Sequence, residues 1–566
     1  MVVARMTMVF ILIVYSVAVV ANDNWSTLRL SVVDIQTGKQ TPARVEIIDA
    51  SDNGRVATDS LRYGGDCDMS DTGAGFITRE SALEGFKDRL ENPYTGTLQF
   101  YSTGESSTQV SPGIVRVRVF KGPEYTISKH EIEVPRGETV ELTVSMDRWI
   151  DMPSKGWYSG DDHLHIQRPH ADLNPLIMAM MQAEDIHVAN LLQMGKVNNF
   201  DIAPQYQFGK AGQFYDGNYV LAAGQENPRT HYLGHTITLG LDRTIFDAER
   251  YLIYRRIWEQ SVALGGVNGF AHAYAENGTD LSPLDGLGVI LPHNLLHFME
   301  VLQFNRSGFE AWYDVLNLGF AVTPTAGTDY PCAQQVLPGH ERFFAHVDGE
   351  FTYRKWLDAV RGGRTFVTTG PILEFDVNGQ KAGATVDVGE NGVVLVKGKV
   401  SFQTDRDDVF FLELLENGKL VHRVSRVDGE SSIEFEYEHE AAVSSWLALR
   451  ALGTELWEAG FVEQHPYHFT DFAAPTSVAH SGAVYLSVKG SPAIGEGASG
   501  KQLARGWLAR LNDLEYTLKE SNIPELARKL QNPNFDAVPE KAIRSSREGL
   551  LREIRIAQSY FRDKID

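Results

Sequence analysis

Cysteine is nearly absent. Cys67 and Cys332 are the only two in 566 residues, so a disulfide framework does not build this fold, and a chain of this length needs no such staple. An exported protein can pair them; two isolated thiols are the equal alternative. A basic surplus is absent as well. The 52 lysines and arginines face 74 acids, a formal charge of −22, whereas nucleic-acid recognition rests on basic patches. The expected partner is therefore a small molecule and not DNA or RNA. Beyond the first 21 residues no apolar run approaches the roughly 20 residues of a membrane span, so no stable membrane insertion is expected after processing. The chain also lacks a P-loop, a dinucleotide fingerprint, a GxSxG elbow and internal repeats.

What is present begins with MVVARMTMVFILIVYSVAVVANDN. Arg5, the apolar run Met8 to Ala21 and the small residue before Asn22 have the layout of a signal peptide. Residues 1–21 are read as that peptide, and the mature protein is expected in a periplasmic or extracellular space. The whole chain is 43% hydrophobic, an ordinary globular composition with room for several domains.

From residue 22 to 150 the pattern alternates with period two. TLRLSVVDI, ARVEIIDA, GIVRVRVFK, HEIEVP and ETVELTVSM read as strands of an N-terminal β-sandwich. GDCDMSDTGAGF (65–76) is a polar loop within it. From 151 to 371 strand-like runs alternate with helix-length segments. The runs are WYSGDDHLH, HVANLLQM, NYVLAAG, GHTITLGL, VNGFAHAY, HFMEVLQF and FAVTPTAG. About seven strands with helices between them predict an α/β barrel. Asp172 is read as the N-cap of the first helix, with Pro175 in its first turn, and Asp247 as opening a long second one. Period two returns in 372–495, with Asn-Gly pairs at 378, 391 and 417 marking hairpins of a second β-sandwich. Residues 496–566 form a charged helical tail. The fold class is thus a multidomain α/β plus all-β chain.

Chemistry concentrates in GDDHLHIQRPH (160–170). His163 and His165 are two apart, so on a strand both imidazoles face one way. A helix follows, which places them at the C-terminal end of the first strand, where α/β barrels keep their active sites. Further candidates fall at the edges of later strands: Glu226, His231, His235, His272 and Asp329. Histidines and carboxylates together suit zinc, manganese or iron. Any one of them alone reads best as a hydrogen-bonded core or rim residue; the ordered set reads as a metal site. Asp161 or Asp162 is placed to orient an imidazole. Arg168 is a candidate for binding an anionic substrate group, and Arg364 and Thr369 in GRTFVTTGP (363–371) for lining the pocket. His293 and His297 in HNLLH have helical i,i+4 spacing but no glutamate base beside them, so the structural reading prevails. Glu300, in a buried-looking strand, must be paired or face a cleft.

This order of motifs resembles the polymerase-and-histidinol-phosphatase (PHP) superfamily, and more closely its carbaryl-hydrolase-like branch. The resemblance covers most of residues 155–371, with GDDHLH where that branch has Gly-Asp-Leu-His-x-His. It implies a distorted (β/α)7 barrel flanked by β-rich domains. It also implies one or two divalent ions, with His163 and His165 as the first pair of ligands. Glu226 would bridge the ions, His231 or His235 together with His272 would serve the second, and Asp329 is the terminal acid. Two histidines of three-metal members have no counterpart: their places read Leu191-Leu192-Gln193-Met194 and Pro331. His170 is either a remnant of that third site or a rim residue. The implied activity is metal-dependent hydrolysis of an ester, amide or carbamate, with phosphoesters second. His272 or His231 would shuttle a proton if not a ligand, and Arg168 or Arg364 would stabilise the oxyanion. The rival is a non-catalytic binding protein built on a degenerate barrel. Mass spectrometry of the native protein is expected to place its first residue near Asn22; an intact Met1 in a membrane fraction is the contrary result.

Overall fold

The computed structural model describes residues 25–61, 90–91, 97–196, 199–230, 233–273, 284–303, 306–332, 337–389, 392–453, 477–530 and 538–566. The signal-peptide segment, Cys67, the 65–76 loop and His231 lie outside them.

The N-terminal unit is two sheets over one core. Strand Ser26–Asp34 lies between Glu105–Val110 and Thr139–Met146 in the smaller sheet. Ala43–Ile48 pairs with both Leu98–Ser102 and Gly113–Phe120 in the larger. Leu28, Leu30, Val45, Ile47, Val115, Val117 and Val144 fill the space between them, the alternate residues that the period-two pattern picks out. Glu105–Val110 escapes that pattern because its inward residues Ser106 and Thr108 are polar.

The seven strands of the central unit are Trp157–Leu164, Val188–Lys196, Tyr219–Thr230, Gly234–Leu239, Val267–Phe270, Phe298–Gln303 and Thr323–Ala326. Six run in one direction, and Gly234–Leu239 runs against its neighbours on both sides. A parallel bridge between Leu164 and Tyr330 returns the last strand to the first. Most of these strands are buried along nearly their whole length, as strands covered on both faces are, although polar residues crowd Trp157–Leu164 and the later half of Tyr219–Thr230. Helices Asn174–Ala183, Tyr254–Ala263, Leu284–Ile290 and Phe309–Asn317 lie in four of the intervals. The interval after Val188–Lys196 instead holds short strands, Asn199–Ile202 and Phe214–Asp216.

Two helix boundaries differ from expectation. Asp172 sits inside a 3-10 turn, Ala171–Leu173, and makes no cap; Asn174–Ala183 follows with a proline in its first turn. Asp247 accepts from the Arg250 amide in a turn, and the helix starts seven residues later, at Tyr254. The delay has a tertiary cause. Buried Tyr251 places its hydroxyl on the Arg229 amide at 3.0 Å, and Tyr254 places its own on the Thr230 amide at 3.0 Å.

No clean boundary follows the central unit. Strand Thr365–Thr368 pairs with Arg342–His346 on one side and with Val478–Ser481 on the other, so the hydrogen-bonded sheet runs on into the C-terminal β unit. There Asn417 and Gly418 form the tip of the hairpin between Val409–Glu416 and Lys419–Ser425, at φ 51° and 82°, as Asn-Gly turns require. The tail helices Ala498–Glu520, Ile523–Leu530 and Glu540–Ile565 bury Trp507, Leu511, Ile543, Ile554 and Phe561 in the same core as the central unit.

Helix Tyr353–Arg361 fixes the first strand. Its Trp356 is fully buried and donates through Nε1 to the Tyr158 carbonyl at 3.2 Å. A Cβ at Gly160 would meet that indole at 2.3 Å, so glycine is needed three residues before His163. Replacing Trp356 with alanine should cost about 3–5 kcal/mol of stability, read as a lower midpoint in urea unfolding, whereas Trp356→Phe should cost much less.

Candidate metal centre

The candidate ligands gather at one end of the central strands. His163 and His165 close Trp157–Leu164, Glu226 lies late in Tyr219–Thr230, and His272 and Asp329 follow Val267–Phe270 and Thr323–Ala326. His235 begins the one reversed strand, which brings it to the same end. Four donor atoms form the first group: Nε2 of His163, Nε2 of His165, Oε2 of Glu226 and Oδ1 of Asp329. The two nitrogens are 3.2 Å apart. His163 lies 3.8 and 3.4 Å from the Glu226 and Asp329 oxygens, and His165 lies 3.3 and 3.0 Å from them. A tetrahedral ion with bonds of about 2.0–2.1 Å separates its ligand atoms by about 3.3–3.4 Å. Five of the six separations among these atoms are therefore near those an ion would impose. Glu226, His235 and His272 form a second group whose donor atoms all lie within 4.8 Å of one another; Glu226 Oε1 is 2.8 Å from His235 Nδ1. One carboxylate thus faces both groups.

Tautomers sharpen the case. His165 Nδ1 lies 3.0 Å from the Leu192 carbonyl, which can only accept, so that nitrogen carries the proton. Neutral His165 then turns the lone pair of Nε2 toward His163. His163 Nδ1 faces Glu300 at 3.2 Å, which again leaves Nε2 for the centre. At 3.2 Å the two Nε2 atoms can share a proton when His163 is protonated, or be taken together by one cation when both are neutral. The carboxylate behind the ligand histidine is a recurrent support of metal sites.

The electrostatics differ from one candidate ligand to the next. Burial alone would raise Glu226, but Arg229 and the surrounding imidazoles overrule it and hold its carboxyl well below the usual range. Burial disfavours charge on His163, yet Glu300 and Asp329 pull it well above its ordinary value. His272 goes the other way, held well below by burial and then by His235 and His163; a neutral imidazole is what a metal needs.

The backbone is bent to achieve this. Between Glu226 and Arg229 the register to Gly234–Leu239 shifts. In a regular strand residues three apart point to opposite faces; the bulge turns Glu226 and Arg229 to one side, with Arg229 Nη1 3.2 Å from Glu226 Oε2. His272 and Asp329 hold φ of 34° and 55°, a left-handed conformation uncommon for such residues and concentrated at functional sites. Gly327 lets the Asp329 loop close in: a Cβ there would lie 2.6 Å from Asp162 Oδ1, Glu300 Oε1 and His163 Cβ.

The remaining sequence candidates divide. Asp161 touches no imidazole; it staples two ligand loops, accepting from the His163 amide at 3.0 Å, Thr328 Oγ1 at 2.6 Å and the Gly339 amide at 3.0 Å. Glu300 is the group that orients His163. Asp162 is buried, and burial with the Glu300 charge raises its carboxyl well above the usual range. Arg168 is fully buried against neutral partners, Gln205 at 3.1 Å and Asn174 at 3.3 Å, with Tyr206 below its guanidinium. Arg364 joins the opposite end of the first strand, where its carbonyl accepts from His346, the partner of Trp157. Thr369 lines a separate cavity. His170 is exposed. His293 pairs with Glu553 of the tail at 3.1 Å and His297 Nδ1 accepts from the Asn268 amide, so the two do not chelate together. Cys332 has its sulfur within 4.8 Å of the His165 and Asp329 donor atoms, but it is disulfide-bonded and offers no thiolate. Sequence reasoning missed Arg229, because only the bulge brings it to the Glu226 side.

No family model matches the chain, and no curated protein matches it. One solved structure is similar, a two-domain protein from Bacteroides vulgatus containing a predicted PHP-like metal-dependent phosphoesterase. It is 12% identical, with 58% of this chain and 96% of that chain covered, at a TM-score of 0.30.

Asparagine at 329 keeps the shape of aspartate but removes the charge. Asp329→Asn should lower tightly bound zinc or manganese, measured by elemental analysis after dialysis, while cooperative unfolding persists. Its melting temperature should fall only in metal-containing buffer, because ligand bound to the native state adds stability.

Proposed function

We propose that this chain is an exported, metal-dependent hydrolase of the PHP type, with two divalent ions sharing Glu226, and that it cleaves phosphoester bonds. The observation that carries the metal reading is the convergence of Glu226 and Asp329 oxygens on the His163 and His165 Nε2 atoms, which are themselves 3.2 Å apart. Zinc, manganese or iron suits this donor set. Such ions supply Lewis acidity and bring the pKa of a bound water from 15.7 to about 7.

The chain's own residues do the rest. Glu226 holds the two ligand groups in fixed relation. Glu300 and the Leu192 carbonyl lock the imidazoles with Nε2 inward. Asp161 keeps the His163 and Thr328 backbones together, so Asp329 closes on the histidine pair. Arg229 favours the phosphoester. It is a largely buried guanidinium beside the ligand oxygens, able to hold a non-bridging phosphoryl oxygen through its planar fork. Esters, amides and carbamates, the substrates first implied by the sequence, present no anionic oxygen for it. Within this reading the central strands form the distorted barrel, with the β units as flanking sandwiches.

Export is supported by the signal-like N-terminus and by the disulfide at Cys332, since disulfides persist in oxidising compartments. Among the described residues no helix is long and apolar enough to cross a membrane.

The test is a hydrolase panel of phosphomonoesters, phosphodiesters, aryl esters and carbamates, with zinc, manganese and iron added separately. Phosphoester turnover should exceed the others. Glu226→Gln should reduce it about 100-fold or more, whereas His170→Ala, at an exposed position, should leave it nearly intact. Equal losses at the two positions, or turnover confined to neutral esters, would contradict the reading.

A further inference from the structure

A second feature lies where the three larger units meet. A cavity of about 150 Å³ opens between the N-terminal unit, the central unit and the C-terminal β unit. Each contributes cationic side chains to its wall: Arg44 and Lys121 from the first, Arg342 from the second, Arg406 from the third. Two acids face them, Glu184 and Asp407. Arg44 is matched by Glu184 at 2.6 Å and by Gln99 at 2.7 Å. Arg406 lies 3.9 Å from Asp407 and donates to the Thr369 carbonyl at 3.0 Å. Lys121 and Arg342 are buried and bonded only to neutral carbonyls. Lys121 donates to those of Pro42 and Gln182, and Arg342 to those of Gly339, Glu184 and Asp185. The wall therefore carries four cations against two carboxylates.

Such a surplus is costly in a partly closed space, because like charges repel there with little water to screen them. Arg342 shows it: burial first, and then the charge of Arg406, bring its guanidinium down to about 10, although Glu184, Asp185 and Asp161 pull the other way. A further anion would relieve this. The volume is below the roughly 300–1,000 Å³ of sites for drug-sized ligands, yet well above the 10–15 Å³ or so that one water needs. The backbone also comes close to the two guanidinium groups. A Cβ at Gly339 would lie 2.8 Å from Arg342 Nη2, and one at Gly370 would lie 3.3 Å from Arg406 Nη2.

We propose that this cavity binds a free tetrahedral oxyanion, inorganic phosphate or sulfate, held by Arg342, Arg406 and Lys121. The anion joins cations from all three units and so fastens the two β units to the central one. The site is separate from the metal centre, although Gly339, in its wall, donates to the Asp161 carboxylate behind His163. The proposal does not depend on the hydrolase reading.

Isothermal titration calorimetry of the full chain with inorganic phosphate and sulfate, in a chloride buffer of constant ionic strength, tests it. Wild type should bind one oxyanion per chain. Arg406 is the partly exposed member of the set, so its replacement spares the buried contacts. Arg406→Gln should weaken phosphate by about tenfold or more, with an unchanged melting temperature in phosphate-free buffer; Arg406→Lys should recover most of the affinity. Asp329→Asn, which damages only the metal centre, should leave phosphate binding intact. No saturable heat in wild type, equal affinity in Arg406→Gln, or loss of binding in Asp329→Asn would overturn the proposal. The last result would place the phosphate at the metal centre and so separate this inference from the proposed function.

Discussion

Everything at the functional end of the central strands answers to one constraint, a surplus of buried negative charge. Asp161, Asp162, Glu226 and Glu300 are almost wholly withdrawn from water, and Asp329 is mostly so. Arg229 is the one formal cation in contact with the ligand oxygens among the described residues. Burying charges without partners is among the largest penalties a fold can carry. The chain meets part of it with hydrogen bonds, as at Asp161, and part by favouring the neutral form, as at Asp162, where burial and the Glu300 charge raise the carboxyl. What is left faces the imidazole pair, where the donor atoms could hold a divalent ion.

Local strain serves the same constraint. A regular strand cannot turn Glu226 and Arg229 to one side, and an ordinary loop cannot bring Asp329 onto His165. The structure uses a bulge for the first and a left-handed aspartate for the second. Conformations of this kind cost of order 1–3 kcal/mol each, so they persist only where surrounding packing fixes them. Trp356 against Gly160 and the close approach at Gly327 supply that packing.

The flanking units are bound to this core in different ways. The C-terminal β unit continues its sheet through Thr365–Thr368, and the helical tail enters its apolar core. The N-terminal unit is joined by both packing and charge. Tyr101 and Leu61 enter the apolar cluster around helix Asn174–Ala183, while Arg148 reaches Asp185 at 3.0 Å and Arg44 reaches Glu184 at 2.6 Å. Breaking one partner of such buried pairs is far more damaging than an exposed pair would suggest.

Periodicity along the chain was enough to find most strands, because burial on one or both faces writes itself directly into residue order. It located all seven central strands and the Asn417–Gly418 hairpin. It also put His163, His165, Glu226, His235, His272 and Asp329 at strand edges, since ligand chemistry needs particular residue types at those places. Periodicity failed where burial is polar, as at Ser106 and Thr108, and where a tertiary contact overrides local preference, as at Tyr251 before the delayed helix. Tertiary structure alone decided that Glu226 faces two ligand groups, that Glu300 stands behind His163, that Arg229 turns inward and that Arg168 does not join them. Each of these depends on a distance between residues remote in sequence or on a register shift, and neither leaves a mark in the order of the residues.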